Sequence, residues 1–143
     1  MREILFRGKA INRDRREYRT DYKNGDWVYG LFMRKYDERF ENLPAEMSNE
    51  YGVTGIEVDY KTISEYTGLT DTSGKKIFEG DIVRVVDIYN HTVIYSIDYK
   101  SGSFCINQKG VNFSTDLGSV YNGKYEIEVI GNIYDNPELL NKR

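Results

Sequence analysis

Thr92-Val93-Ile94-Tyr95-Ser96-Ile97-Asp98-Tyr99-Lys100-Ser101-Gly102-Ser103-Phe104-Cys105-Ile106-Asn107 is the stretch that decides the fold class. Val93, Tyr95, Ile97 and Tyr99 alternate with Thr92, Ile94, Ser96 and Asp98, which is the period-two pattern of a strand with one apolar face. Ser101-Gly102 reads as a turn, after which Phe104 and Ile106 alternate with Ser103, Cys105 and Asn107. Upstream, Ile82 to Val86 is an apolar run broken only by Arg84, the mark of a more central strand. Downstream, Tyr125, Ile127 and Val129 alternate with Glu126 and Glu128. Turn signals at Asn90-His91, Lys109-Gly110 and Asn122-Gly123 divide these runs, and Asn-Gly favours the positive φ angles of a type I′ hairpin.

Several short strands at this spacing predict a mainly β chain. From Gly80 onward the run is that of a small five-stranded SH3-like barrel, placed at residues 71–134. A tail over 135–143 follows, in which Pro137 opens a short helix covering Glu138 to Leu140. Residues 1–70 form a β-rich N-terminal segment. Ile4 to Gly8 is a strand candidate that pairs with 27–33, and Asn24-Gly25 is a second hairpin-turn site before Trp27-Val28-Tyr29-Gly30-Leu31-Phe32. Residues 36–56 show no clean period and read as a long irregular loop with one helical turn near Pro44 to Asn49. Thr62 to Tyr66 fits either a short strand or a turn of helix.

At 143 residues the chain is long enough to build a hydrophobic core without staples. Its 13 Tyr suit strands and half-wet surfaces, since the ring packs while the hydroxyl keeps a polar partner. One Cys, Cys105, allows no internal disulfide, and with one His, His91, it builds no structural zinc site. A reducing cytoplasm is the expected compartment. No apolar run spans a bilayer, and Met1 to Arg7 lacks the apolar stretch of a signal peptide.

Candidate chemistry is sparse. Gly68 to Lys75 resembles a phosphate loop but has its glycines one residue too far apart, Lys76 in place of Ser or Thr, and turn-and-strand character where a helix N-terminus is needed. His91 falls in a turn, and Cys105 reads as a small filler on a strand. The carboxylate pairs Glu57/Asp59, Glu79/Asp81 and Glu126/Glu128 have the i, i+2 spacing of a wet sheet face. No catalytic, metal, cofactor or small-molecule site is expected, and no enzyme.

Charge is the stronger signal. Residues 1–23 carry eight Lys/Arg against four Asp/Glu, a net of +4, while residues 37–81 carry four against eleven, a net of −7. Within the basic part, Arg13, Arg15, Arg16, Tyr18, Arg19 and Lys23, with Tyr22 among them, interleave guanidinium groups with aromatic rings. That mixture can hold phosphates and stack on bases, although the chain as a whole is acidic. The same segment can dock on the acidic 37–81 stretch of its own chain or of a second copy.

The blocks Tyr66-Thr67-Gly68-Leu69-Thr70-Asp71, Gly74-Lys75-Lys76-Ile77-Phe78-Glu79-Gly80-Asp81-Ile82-Val83 and Val129-Ile130-Gly131-Asn132-Ile133-Tyr134-Asp135-Asn136-Pro137 resemble the YopX family of phage and prophage proteins. The opening Arg2 to Arg7 and Gly25-Asp26-Trp27-Val28-Tyr29-Gly30 extend the resemblance. It implies an SH3-like fold and a phage or prophage setting, and it supplies no activity, ligand or catalytic residue. Read by physical chemistry, Asp71-Thr72-Ser73-Gly74 is a turn in which Asp caps its own backbone, and Glu79-Gly80-Asp81 reverses the chain into a buried strand. The expected function is a non-catalytic accessory one, through protein–protein contact or self-assembly. The alternative is nucleic-acid binding through 13–23.

Overall fold

The computed structural model describes residues 3–11, 22–35, 45–111 and 114–141. The chain divides into two compact units, Met1–Tyr66 and Thr67–Arg143. Both are built from antiparallel strands, so the chain is mainly β.

In the first unit, β1 (Phe6–Lys9) pairs with β2 (Trp27–Lys35) from Phe6↔Gly30 to Lys9↔Trp27. β2 then pairs with β3 (Ala45–Asn49), and β3 with β4 (Ile56–Val58). A bridge from Ala10 to Val58 brings the chain just beyond β1 against β4. A 3₁₀ turn at Tyr60–Thr62, capped by the Asp59 carboxylate, leads into β5 (Ser64–Thr70), which starts beside β1 at Ser64 and Glu65. The strand expected at Ile4 to Gly8 is therefore β1, and its expected pairing with 27–33 is present. Ala10, Val28, Ala45, Met47, Ile56 and Val58 make the core, backed by Phe6, Tyr22 and Ile63.

Three local expectations are overturned. Ala45–Asn49 is strand β3, where a loop with a helical turn was expected. Only Ala45 and Met47 face inward there, both fully buried between β2 and β4. So few apolar positions beside Glu46 and Ser48 gave no readable period. Asn122-Gly123 is not a hairpin turn. It ends α1 (Leu117–Tyr121), with Asn122 right-handed at φ −80 and its N–H on Gly118 O. At Asn24-Gly25 only Gly25 has positive φ, and Asp26 N–H closes on Lys23 O at 3.0 Å, so the turn is not type I′.

In the second unit, β6 (Lys76–Phe78) neighbours β5. β7 (Asp81–Val86), β8 (Thr92–Lys100), β9 (Ser103–Asn107), β10 (Ser114–Asp116) and β11 (Glu126–Asn132) form a sheet ordered β10-β9-β8-β7-β11. Among the described residues β10 and β11 do not pair, so the ladder leaves this sheet open. The β8–β9 turn is the two-residue type I′ hairpin, with Ser101 at φ 51 and Gly102 at φ 83. Ile77, Val83, Val85, Ile97, Ile106, Leu117, Val120 and Ile127 form the core. The β11 edge is sealed by the Asp71 turn. Thr72 N–H donates to Ile127 O, Ile127 N–H to the Thr72 hydroxyl, and Val129 N–H to Asp71 Oδ2. The tail's short helix is a 3₁₀ turn over Pro137–Asn141.

Candidate partner-contact site

Arg13, Arg15, Arg16, Tyr18 and Arg19 lie outside the described residues. Lys23 lies within them, exposed, its N–H bonded to the Asp26 carboxylate at 2.9 Å. What the structure assembles nearby is the outward face of β1 and β2. Val28 faces the core, so Trp27, Tyr29 and Leu31 face away from it. The β1 partners of Trp27 and Tyr29 are Lys9 and Arg7. Arg7 sits 4.4 Å and Lys9 Nζ 5.0 Å from the Trp27 ring centroid, a cation–π pair on one indole. Arg7 is buried and donates from Nε to Ser64 Oγ at 3.4 Å.

Beyond this cluster the face is apolar. Leu31 is 52% and Met33 51% exposed, next to Tyr29 at 38%. A single exposed Leu is ordinary, but Tyr29 and Leu31 in one row, with Met33 at the irregularity that follows, form a patch of the kind that marks contact surfaces. The row continues toward Ser48 and Glu46 on β3, the latter opposite Glu57 on β4. At this end of the sheet Arg34 of β2 lies opposite Glu46.

The second unit offers a different pair of features. The turn joining β7 to β8 is pinned by Asp87, whose Oδ1 accepts from Tyr89 N–H and His91 N–H at 2.9 and 2.8 Å, and whose Oδ2 lies 3.1 Å from His91 Nδ1. The His91 N–H bond, joined by Tyr89 N–H and the His91 ring, outweighs desolvation and holds the Asp87 carboxyl below its ordinary value. The turn presents Ile88 and Tyr89, 64% and 75% exposed. At its base lies an open cleft of about 610 Å³ lined by Val93, Ile94 and Leu140 with Thr92, Gln108, Lys109, Gly110 and Asn141.

Nucleophile and base do not meet. His91 is tied to Asp87 in an exposed turn, while Cys105 is buried on β9 opposite Asp98. The carboxylate pairs serve separate ends. Asp59 caps the 3₁₀ turn, buried Asp81 accepts from Phe78 N–H at 2.8 Å, and Glu128 bonds Arg84 across β11 and β7. Among the described residues no group of three or more His, Cys, Asp or Glu is placed to hold a metal ion. No helix among them is long and apolar enough to cross a membrane.

The family model described as YopX protein matches residues 12–141, nearly the whole chain. The chain belongs to the YopX family. Its family blocks are here structural: Asp71 and Thr72 lock β11. Asn132 caps the turn after β11, its Oδ1 accepting from Tyr134 and Asp135 N–H. The crystal structure of protein EF1440 from Enterococcus faecalis is similar to this YopX chain, with a TM-score of 0.51 and 24% identity, covering 98% of this chain and 99% of that one. At that identity the likeness concerns the fold alone. No curated protein matches the chain.

Proposed function

We propose that this YopX-family chain is a non-catalytic accessory protein of a phage or prophage, working in the bacterial cytoplasm through protein–protein contact. The supporting observation is the exposed apolar patch of Tyr29, Leu31 and Met33 on β2. Separation of His91 from Cys105 fits a chain without nucleophilic chemistry, and a lone thiol fits a reducing compartment. Residues 71–134 are read as an SH3-like barrel. The order β11-β7-β8-β9-β10, with a helical turn between the last two strands in sequence, supports that meander.

Gel filtration in host lysate tests the contact reading. The chain is expected to elute heavier than the purified chain under the same conditions, and Leu31→Glu/Met33→Glu to return to the purified position with an unchanged unfolding midpoint. Elution of the wild type at the purified position overturns it.

Nucleic-acid binding through Arg13 to Lys23 is the second reading. It is favoured by the Arg7–Trp27–Lys9 cluster on the strands flanking that segment. It is disfavoured by the acidic balance of the whole chain, 23 Asp/Glu against 20 Lys/Arg. Salt-dependent anisotropy changes with single-stranded DNA or RNA, lost in Arg15→Ala/Arg16→Ala, would favour this second reading over the first.

A further inference from the structure

We infer that the second unit carries a self-recognition device: the Ile88-Tyr89 tip of one copy seats in the Val93–Leu140 cleft of a second copy, reciprocally. This rests on the reading that the chain acts through protein contact, and it names one partner, the chain itself, and residues of the second unit alone.

The tip has the properties of an anchor. Its two large apolar side chains are mostly exposed, so they do not occupy the cleft of their own chain. The turn beneath them is fixed in advance. Besides the bonds to the Asp87 side chain, Asp87 N–H donates to His91 O and Asn90 N–H to Asp87 O, both at 3.0 Å, and Asn90 takes φ 65. A rigid turn loses little freedom on docking, and a Tyr on it brings large contact area with few rotors.

The cleft has the properties of a receptor. Val93, Ile94 and Leu140 supply apolar wall, and Gln108, Lys109 and Asn141 supply polar groups that a Tyr hydroxyl can meet. The cleft is open, with about 610 Å³ of room, so a protruding side chain can enter it from outside. Lys109 bonds Asn141 across it, which ties the β9 end to the C-terminal 3₁₀ turn. Charge is complementary as well, with Asp87 at the tip and Lys109 at the rim.

Position selects the partner. Tyr89 and Val93 are four residues apart, at most about 13 Å of extended chain. Tip and cleft are therefore adjacent on one surface, and a two-fold axis between them lets each tip of a pair enter the other's cleft. That makes one closed, isologous dimer. A membrane is a poorer occupant, because the apolar wall lies in a cleft edged by Thr92, Gln108, Lys109 and Asn141 and is not presented as a bare apolar face.

Sedimentation equilibrium of the purified full chain over a concentration series is the test. The expected average mass rises from monomer toward twice that value. Tyr89→Ser is expected to weaken the dimer about ten-fold or more, the scale of losing a buried Tyr anchor. It should leave folding intact because Tyr89 is exposed. As a second readout, Leu140→Ser, in the cleft wall, is expected to weaken the dimer to a similar degree. A monomer at every concentration, or a dimer indifferent to Tyr89→Ser or to Leu140→Ser, overturns the inference. A monomeric purified chain that still elutes heavier in lysate sinks only this dimer and leaves the contact reading standing.

Discussion

Asp71 is the residue whose removal tells most about the second unit. Its side chain is 6% exposed and accepts four hydrogen bonds: Ser73 N–H at 3.0 Å, Ser73 Oγ at 2.8 Å, Lys75 N–H at 2.8 Å and Val129 N–H at 3.0 Å. Asp71→Ala removes both acceptor oxygens, and with them all four bonds, and unlocks the turn from β11. A hydrogen bond to a charged group is worth about 1.5–3 kcal/mol. The turn at 72–75 is largely exposed, so water recovers part of the loss, and a net cost of about 3–5 kcal/mol follows. Asp71→Asn keeps one oxygen but sets an NH₂ or a weaker acceptor against one of the N–H groups, and is expected to cost about half as much.

The assay is urea unfolding followed by far-UV circular dichroism. Fluorescence is the wrong probe, because the sole Trp, Trp27, belongs to the first unit. The pH dependence adds a check. Burial pushes the Asp71 carboxyl up, but the bonds from Val129, Lys75 and Ser73 outweigh it and hold its pKa below the ordinary value. A depressed folded pKa means stabilisation that is complete above the unfolded value of about 3.9 and lost as pH falls through and below it. The wild type is therefore expected to lose more stability on acidification than Asp71→Asn. Wild-type stability in Asp71→Asn, or a cost below about 1 kcal/mol in Asp71→Ala, refutes this reasoning.

Other outcomes follow from single positions. Ile97→Ala, at a fully buried site, is expected to cost about 2–5 kcal/mol by urea unfolding, whereas Leu31→Ala on the exposed face stays within about 0.5. Gly102→Ala meets no neighbour but forces a side chain onto φ 83, so a loss of about 1–2 kcal/mol is expected from thermal or urea melts. The buried Cys105 thiol is expected to resist a thiol-reactive dye in the native chain and to react fully in denaturant; rapid native labelling contradicts its burial.

Much of the fold was legible because one-sided strands announce themselves. Val93, Tyr95, Ile97 and Tyr99 gave β8, Ser101-Gly102 gave its turn, and the Ile82–Val86 run gave a buried strand between two neighbours. β3 was not legible, because its two inward residues owe their burial to β2 and β4, which are remote in sequence. α1 is five residues long and contains Gly118, too short for a 3.6-residue period to emerge, and only Asp116, accepting from Gly118 N–H, marked its start. The contact face was half legible. Trp27 to Phe32 read correctly as a strand, but apolar residues at nearly every position resemble a strand covered on both sides. Only the three-dimensional placement left Leu31 and Met33 in solvent. The tip was hidden for a similar reason, since Ile88-Tyr89 between Asp87 and Asn90 looks like the end of one strand and the start of another.

The most direct test of the contact reading is a photo-cross-linking amino acid placed at Leu31 in cells that produce the chain, set against the same group at Tyr121, an exposed position in the second unit. Expected is a discrete protein adduct from Leu31, absent from Tyr121 and abolished when Met33→Glu is added. Adducts of equal yield at both positions, or none from Leu31, would contradict the claim that the β2 face is where this protein does its work.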